Sequence, residues 1–446
     1  MRLGEALESM PELGVSSDLG KLRSHVKPEW IEEALAATGT ASLRRRRMPA
    51  EQVLWLVLGM ALLRNESIER LVALLDLTLP GGGELVARSA IVQARQRLGE
   101  EPLAYLFTVL AAEWATRSAR AHAWRGLALY GIDGTTIRVP DTKENRHAFG
   151  GQSVGSDASC GYPLVRLVAV MALRSHLLSA VRFADFHTGE PVLAEQIWHE
   201  LPDHSLTILD RHYLSAELLN GIALSGTQRH WLTRAKRTTE LKTLERYSKT
   251  DELAQLTITP AMRSYSNIEL PPAWFVRAIK YQRKGFPPSV LLTSLLDPKK
   301  YPAEEIVALY HERWELEVGY DEVKTHMLAR EEAIRSKTPA GVRQELWGIL
   351  LAYNLVRIEM ERVADEAMVE PTRISFVNAL SLIRYAWLAS STPPWAPGAI
   401  PKRLLDVRRH MKLLLLPPRV EGRSYPRKVK LKLSTYARVP SKRGLN

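Results

Sequence analysis

A chain of 446 residues, 46% apolar and 25% charged, has room for two or three domains with a sizeable core, and none of its segments has the composition of a disordered tract. Its formal charge is +12, and the whole excess lies in residues 401–446, where fourteen Lys and Arg stand against two acids, Asp406 and Glu421. A single cysteine, Cys160, excludes an intramolecular disulfide and a cysteine-based zinc cage, and the twelve histidines show no ligand spacing, so a reducing compartment fits.

The N-terminal "MRLGEALESM" lacks the basic-then-apolar order of a signal peptide. Residues 28–98 read as helical. "PEWIEEALAAT" opens on Pro28 in a first turn, "AEQVLWLVLGMALLRN" follows, and "SIERLVALLDL" starts at a Ser67 cap before "PGGG" at 80–83 breaks the pattern. The longest apolar run, 53–63, is about half of the roughly 20 residues a membrane span needs. "ARSAIVQARQRLG" predicts a short helix with Ile91, Val92 and Leu98 inward and Gln93, Arg95, Gln96 and Arg97 outward, a composition that suits a DNA groove or an ordinary surface helix. "RRRR" at 44–47 is either a phosphate clamp or a solvated loop.

From about 125 the pattern becomes β-β-β-α-β-α-β up to 236: "LALYGIDGTTIRVP", "LVRLVAVMAL" and "LLSAVRFADF" as strands, then "EPVLAEQIWHEL", "SLTILDRHY", "SAELLNGIAL" and "HWLTRAK". Residues 237–290 look like a small β-rich insertion with basic and aromatic side chains. "VLLTSLLDP" restores regular structure, and a helix from about Ala303 leads into "YHERWELEVGYDEVKTHM". Two apolar helices at about 341–365 and 373–390 precede the proline cluster "STPPWAPGAIP". The basic tail beyond it suggests a polyanion partner, against the alternative of a solvated tail that aids solubility.

Two acids end buried strands: Asp133 after "ALYGI" and Asp210 after "LTIL". A charge there is costly unless paired, although a strand-end Asp is commonly only a turn starter, as Asp185 after "AVRFA" illustrates. The segment 310–327 adds a third acid. On a continuous α-helix, Tyr310, Arg313, Glu317 and Lys324 lie within roughly 60° of one another. Taken alone, Arg313–Glu317 is an i, i+4 surface pair. Beside two strand-end aspartates, Glu317 completes three convergent carboxylates that need a cation to coexist. All-oxygen donors suit Mg2+ or Mn2+. Two such ions about 4 Å apart serve phosphodiester cleavage, with Arg313, Lys324 and Tyr310 facing phosphates.

"IDGTT", "LDRHY" and the Tyr310-x2-Arg313-x3-Glu317-x6-Lys324 spacing resemble the signature of DDE transposases of the insertion-sequence-4 family, over about 130–330, and residues 20–100 resemble their N-terminal domain. The resemblance implies an α/β fold: a ribonuclease H-like mixed sheet with flanking helices, interrupted by the β-rich insertion and preceded by an all-α N-terminal domain. It divides the chain into a DNA-binding region at 1–100, a catalytic domain at 125–390 and a basic tail at 391–446. It implies Asp133, Asp210 and Glu317 as ligands of two Mg2+ ions, with Mn2+ able to substitute. It also implies DNA contacts from Tyr310, Arg313, Lys324 and Arg211, and a homodimer that pairs two element ends. The protein so described is bacterial, cytoplasmic and nucleoid-associated when bound to double-stranded DNA, at transposon ends and at target. A catalytically inactive DNA-binding regulator with the same fold is the rival, and a carboxylate-pair glycoside hydrolase is disfavoured by the cationic residues. One departure stands out: "GFPPSVLLTS" lacks the tryptophan that some members stack on a flipped base during hairpin formation, leaving Phe286 or Trp274 as stand-ins.

Overall fold

The apolar alternation after residue 126 becomes the central strand of a nine-stranded sheet. A computed structural model describes residues 26–40, 48–74, 87–154, 158–159, 161–283, 285–328, 334–390 and 407–418. The arginine run at 44–47, "PGGG", Cys160, the proline cluster and the tail beyond 418 lie outside the described residues.

Among the described residues five helices come first: α1 (Pro28–Ala37), α2 (Ala50–Leu62), α3 (Ile68–Leu74), α4 (Arg88–Leu98) and α5 (Glu101–Ala121). Pro28 opens α1 as expected, and the Ser67 hydroxyl accepts from the Arg70 N–H at 3.2 Å at the start of α3. α5, which no sequence expectation covers, lies against β1 (Ala128–Arg138), β4 (Leu164–Ala172) and β5 (Leu178–Asp185). Between β1 and β4 come α6 (Lys143–Phe149) and the small pair β2 (Ser153–Val154) and β3 (Ala158–Ser159). After β5 follow α7 (Glu190–Glu195), β6 (Ser205–Leu209), α8 (Ala216–Leu224) and β7 (Arg229–Arg234).

β1 and β4 are antiparallel, β4 and β5 antiparallel, β1 and β6 parallel, and β6 and β7 parallel. The core order β5-β4-β1-β6-β7 is that of a ribonuclease H-like fold. β6, "SLTIL", is buried at every position, as a parallel strand covered on both faces must be.

The segment 237–290 contributes β8 (Lys242–Arg246), β9 (Asp251–Leu256), α9 (Pro260–Tyr265) and β10 (Trp274–Tyr281), followed by β11 (Ser289–Thr293). These strands do not form a sheet of their own. β11 pairs antiparallel with β7, so the order runs on as β11-β10-β9-β8 at one edge of the main sheet. A buried Arg277–Asp251 ion pair at 2.5 Å fixes the extension, and Arg277 also donates to the Tyr301 carbonyl at 2.6 Å.

Next come α10 (Ala303–His311), α11 (Trp314–Asp321), a π-helical segment (Glu322–Met327), α12 (Pro339–Ala367) and α13 (Phe376–Ser390), and residues 407–413 are again helical. α12 is the spine of the molecule, about 43 Å long at 1.5 Å per residue. α2 is buried all round, as its uniformly apolar sequence demands, and packs on α12 where Gly348 leaves room for Val57.

Candidate active site

β1 changes character half-way. Residues 128–132 are buried on both faces, whereas Asp133 to Thr136 are only partly covered. The cause is the sheet: β6 ends at Leu209, opposite Ile132, and β1 runs on paired to β4 alone. Continuing that parallel register sets Asp133 beside Asp210 at one mouth of the sheet. Asp133 does not end its strand as expected, because β4 pairs with β1 as far as Arg138, and only Asp210 stands at a strand end. Asp210 Oδ1 accepts from the His212 N–H at 3.0 Å, capping a tight turn. Asp185 is the turn starter it resembled, accepting from the Thr188 hydroxyl at 2.6 Å and the His187 N–H at 2.9 Å.

α11 crosses β1 on the Asp133 face. Two glycines let it approach: a Cβ on Gly131 would stand 2.7 Å from Leu316, and one on Gly319 would stand 2.5 Å from Met171. The Tyr320 hydroxyl donates to the Asp133 carbonyl at 2.5 Å, and Lys324 Nζ donates to the Thr135 hydroxyl at 3.1 Å. Behind α11 a buried polar cluster ties it down. Tyr353 donates to Glu322 at 2.8 Å, Arg357 pairs with Glu322, and His176 Nε2 meets Glu315 at 2.8 Å.

The expected single helix is broken. Between α10 and α11, Arg313 N–H bonds the Tyr310 carbonyl and Leu316 N–H bonds the Arg313 carbonyl, three residues apart, which tightens the turn and shifts the helical phase. Glu312, held by Arg174 through bonds of 2.8 and 3.0 Å, anchors the break. After Asp321 the winding loosens into the π segment that carries Lys324. The four residues therefore do not form one straight stripe. Tyr310 is only 6% exposed, in a neighbourhood of Arg313, Arg234 and Asp210, while Glu317 is about one-third exposed. Arg211 is exposed in the turn after Asp210.

Arg313 stands between two of the acids: Nη2 is 3.0 Å from Glu317 Oε1 and Nη1 is 3.6 Å from Asp133 Oδ2. Burial opposes its charge, but Tyr310, Glu317, Asp133 and Asp210 together hold its pKa above the usual value. Burial pushes the Asp133 carboxyl up to about 6, against the Gly134 N–H and Arg313, with the charges of Glu190 and Asp210 adding to the rise. Burial likewise raises the Tyr310 phenol to about 12 and lowers the Lys324 ammonium.

Two family models match the chain: the insertion element 4 transposase N-terminal model over residues 16–108 and the transposase DDE domain over 126–355. The Escherichia coli K12 transposase InsG of insertion sequence element IS4 is 37% identical over 444 residues, 99% of each chain. The chain belongs to the insertion-sequence-4 family of DDE transposases. A putative transposase of the same strain, InsZ, is 38% identical over 210 residues, 47% of this chain and 69% of its own. A piggyBac transposase synaptic complex with hairpin DNA aligns over 92% of this chain and 87% of its own at 12% identity, with a TM-score of 0.42, too distant to carry an argument.

DDE transposases use divalent metal, and the donor chemistry of this transposase fits it. Its acids are hard oxygen donors with no histidine or cysteine among them, the donor set that suits Mg2+ or Mn2+. Among the described residues no group of three or more His, Cys, Asp or Glu is gathered at metal-holding distance, and Arg313 occupies the space between Asp133 and Glu317. Two expectations need correction. Trp274 packs in the core, 6.0 Å from Trp231, and offers no stacking face. Arg95 turns inward to Gln344 and Ser336, both at 3.0 Å, while Val92 faces out. Glu190 escaped the sequence reading altogether, although it lies against Gly134. An acid shortly after the strand "AVRFAD" is its only signal, and nothing in the sequence says that α7 folds back beneath β1.

Proposed function

We propose that this transposase binds the terminal inverted repeats of its own insertion sequence, cleaves DNA there in a metal-dependent reaction, and transfers the freed strand to a new site. The observation that carries the reading is that Arg313 reaches both Asp133 and Glu317 at the place where β1 outruns β6, with Asp210 the first residue past the end of β6. Asp133, Asp210 and Glu317 are the ligands for two Mg2+ ions, with Mn2+ as substitute. The metal supplies activation of the attacking water or 3′-hydroxyl and stabilisation of the leaving oxygen.

The chain's own residues do the rest. Arg313, once released from the two acids, offers a forked donor to a phosphate of the strand being cut. Lys324, held toward the mouth by Thr135, gives a second cation, and exposed Arg211 a third. Tyr310 backs Arg313 and lies within reach of the same phosphates when the arginine swings out. Outward Gln93, Gln96 and Arg97 on α4, together with the basic tail, support end binding, mostly through phosphate and hence steeply salt-dependent. A homodimer that pairs two ends is the assembly this chemistry calls for.

The test is cleavage of a labelled duplex carrying the element's own terminal repeat, in Mg2+ or in EDTA. Nicking at the repeat boundary is expected from wild type in Mg2+ only. Asp133→Asn and Glu317→Gln should bind the duplex and lower cleavage by at least about 1,000-fold, on the order of 4 kcal/mol of barrier. Binding without cleavage by wild type in either Mg2+ or Mn2+ would replace this reading with that of a DNA-binding regulator.

A further inference from the structure

On the face of β1 opposite α11, a carboxylate presses on the strand at the level of the site. Glu190, the first residue of α7, is part-buried there. Its Oε1 accepts from Arg166 Nη1 at 2.8 Å and its Oε2 from the Tyr213 hydroxyl at 3.3 Å. Arg166 is fixed in turn by two donations to the Phe186 carbonyl, at 3.2 and 2.9 Å. Tyr213 closes the turn that begins at Asp210, and it is fully buried. A Cβ on Gly134 would lie 2.4 Å from the Glu190 carboxyl carbon, so only glycine leaves space for this approach. One side chain thus touches the residue after Asp133 and the third residue after Asp210.

We propose that Glu190 is a positioning residue that sets the separation of Asp133 and Asp210 and, through it, the affinity of the site for its metal ions. The inference rests on the proposed reading of Asp133 and Asp210 as ligands. The pairing of β1 with β6 ends at Ile132 and Leu209, one residue short of both acids. Beyond it the two chains part: β1 continues beside β4, whereas the chain after Asp210 turns away. Glu190 bridges them past the end of the ladder. It is not a ligand itself, because Asp133 faces α11 and Glu190 lies on the other side of the strand, with both oxygens engaged. A partner that orients ligands from behind commonly affects metal affinity by 10- to 100-fold.

The measurement is Mn2+ binding to the full chain without DNA, by electron paramagnetic resonance, with the melting temperature recorded alongside. Glu190→Ala should weaken Mn2+ binding by roughly tenfold or more. Glu190→Gln, which keeps the length and the hydrogen-bonding end, should recover most of that loss. Tyr213→Phe, which removes only one hydroxyl, should weaken binding a few-fold in the same direction. A lower melting temperature with unchanged Mn2+ affinity in Glu190→Ala and Tyr213→Phe overturns the proposal, as does a Gln variant as weak as the Ala one. Asp133→Asn separates the two readings. If it loses Mn2+ while Glu190→Ala keeps it, only the positioning role falls. If Asp133→Asn binds Mn2+ like wild type, the ligand assignment falls and the proposal with it.

Discussion

Arg313 is the residue on which the electrostatics of the site turn. Two acids without a cation between them repel each other, and Arg313 supplies that cation. With Asp133 and Glu317 as the proposed ligands, a metal ion would have to displace that guanidinium, and the displaced arginine would be free for phosphate. On the proposed reading, metal loading and strand binding are coupled through one side chain. Arg313→Gln should tighten Mn2+ binding in the absence of DNA, by on the order of tenfold for about 1.4 kcal/mol of lost competition. It should also weaken duplex binding and lower the salt slope by about one. Calorimetric titration of Mn2+ and salt-dependent duplex binding check the two halves separately. Tighter duplex binding by the variant would show that the arginine never reaches phosphate. Asp133, Asp210 and Glu317 were legible as candidate acids because strand-end charge and family spacing are local patterns. The bridging position of Arg313 was not, because it depends on how α11 lies across β1.

At the scale of elements, the site depends on how closely α11 approaches the sheet. Gly131 and Gly319 allow the contact, and the Tyr320 hydroxyl fixes its register on the Asp133 carbonyl. Gly131→Ala would put a methyl group 2.7–2.9 Å from Leu316 and Leu173, too close for either to stay in place. Overpacking of this kind costs about 1–3 kcal/mol. The expected result is a modest fall in melting temperature with a larger loss of cleavage, since Glu317 rides on the displaced helix. Equal stability and activity would mean that α11 is not held by this contact. The same scale explains what the sequence concealed. Strands β1, β4, β5, β6 and β7 were legible because alternation and apolar runs are written locally. The break at Glu312–Arg313 was hidden, because Tyr310 to Met327 has no glycine or proline at that point and the break is anchored by Arg174, from the distant β4–β5 turn. Arg95 looked like a groove-reading residue for a similar reason: its partners Gln344 and Ser336 lie some 240 residues further along the chain. The insertion strands looked separate, since a pairing such as β7 with β11 leaves no mark in either segment alone.

Across the whole molecule, α12 joins parts that a division by sequence would separate. Its residues face α2 at Gly348 and Val57, and Gln344 donates to the carbonyls of Arg95 at 2.9 Å and Gly99 at 2.6 Å. Glu345 pairs with Arg64 at 3.2 Å, and Arg335 donates to the Glu66 carbonyl at 2.9 Å. Further along the same helix, Tyr353 and Arg357 grip Glu322 behind the site. Removal of residues 1–124 would therefore bare the apolar face of α12 and strip buried polar groups of their partners. Breaking one buried pair alone costs about 3–5 kcal/mol, and a domain's entire stability is only about 5–15 kcal/mol. The truncated chain should keep helical far-ultraviolet circular dichroism but lose near-ultraviolet signal and cooperative melting, the behaviour of a collapsed state without fixed packing. A cooperative transition close to that of the full chain would show that the catalytic sheet and α12 stand on their own. Loss of packing in the absence of the N-terminal helices would instead make α12 a mechanical link between the proposed end-binding region and Glu317. In that case a DNA end seated on α4 would act on the acids through the same buried side chains that hold the fold.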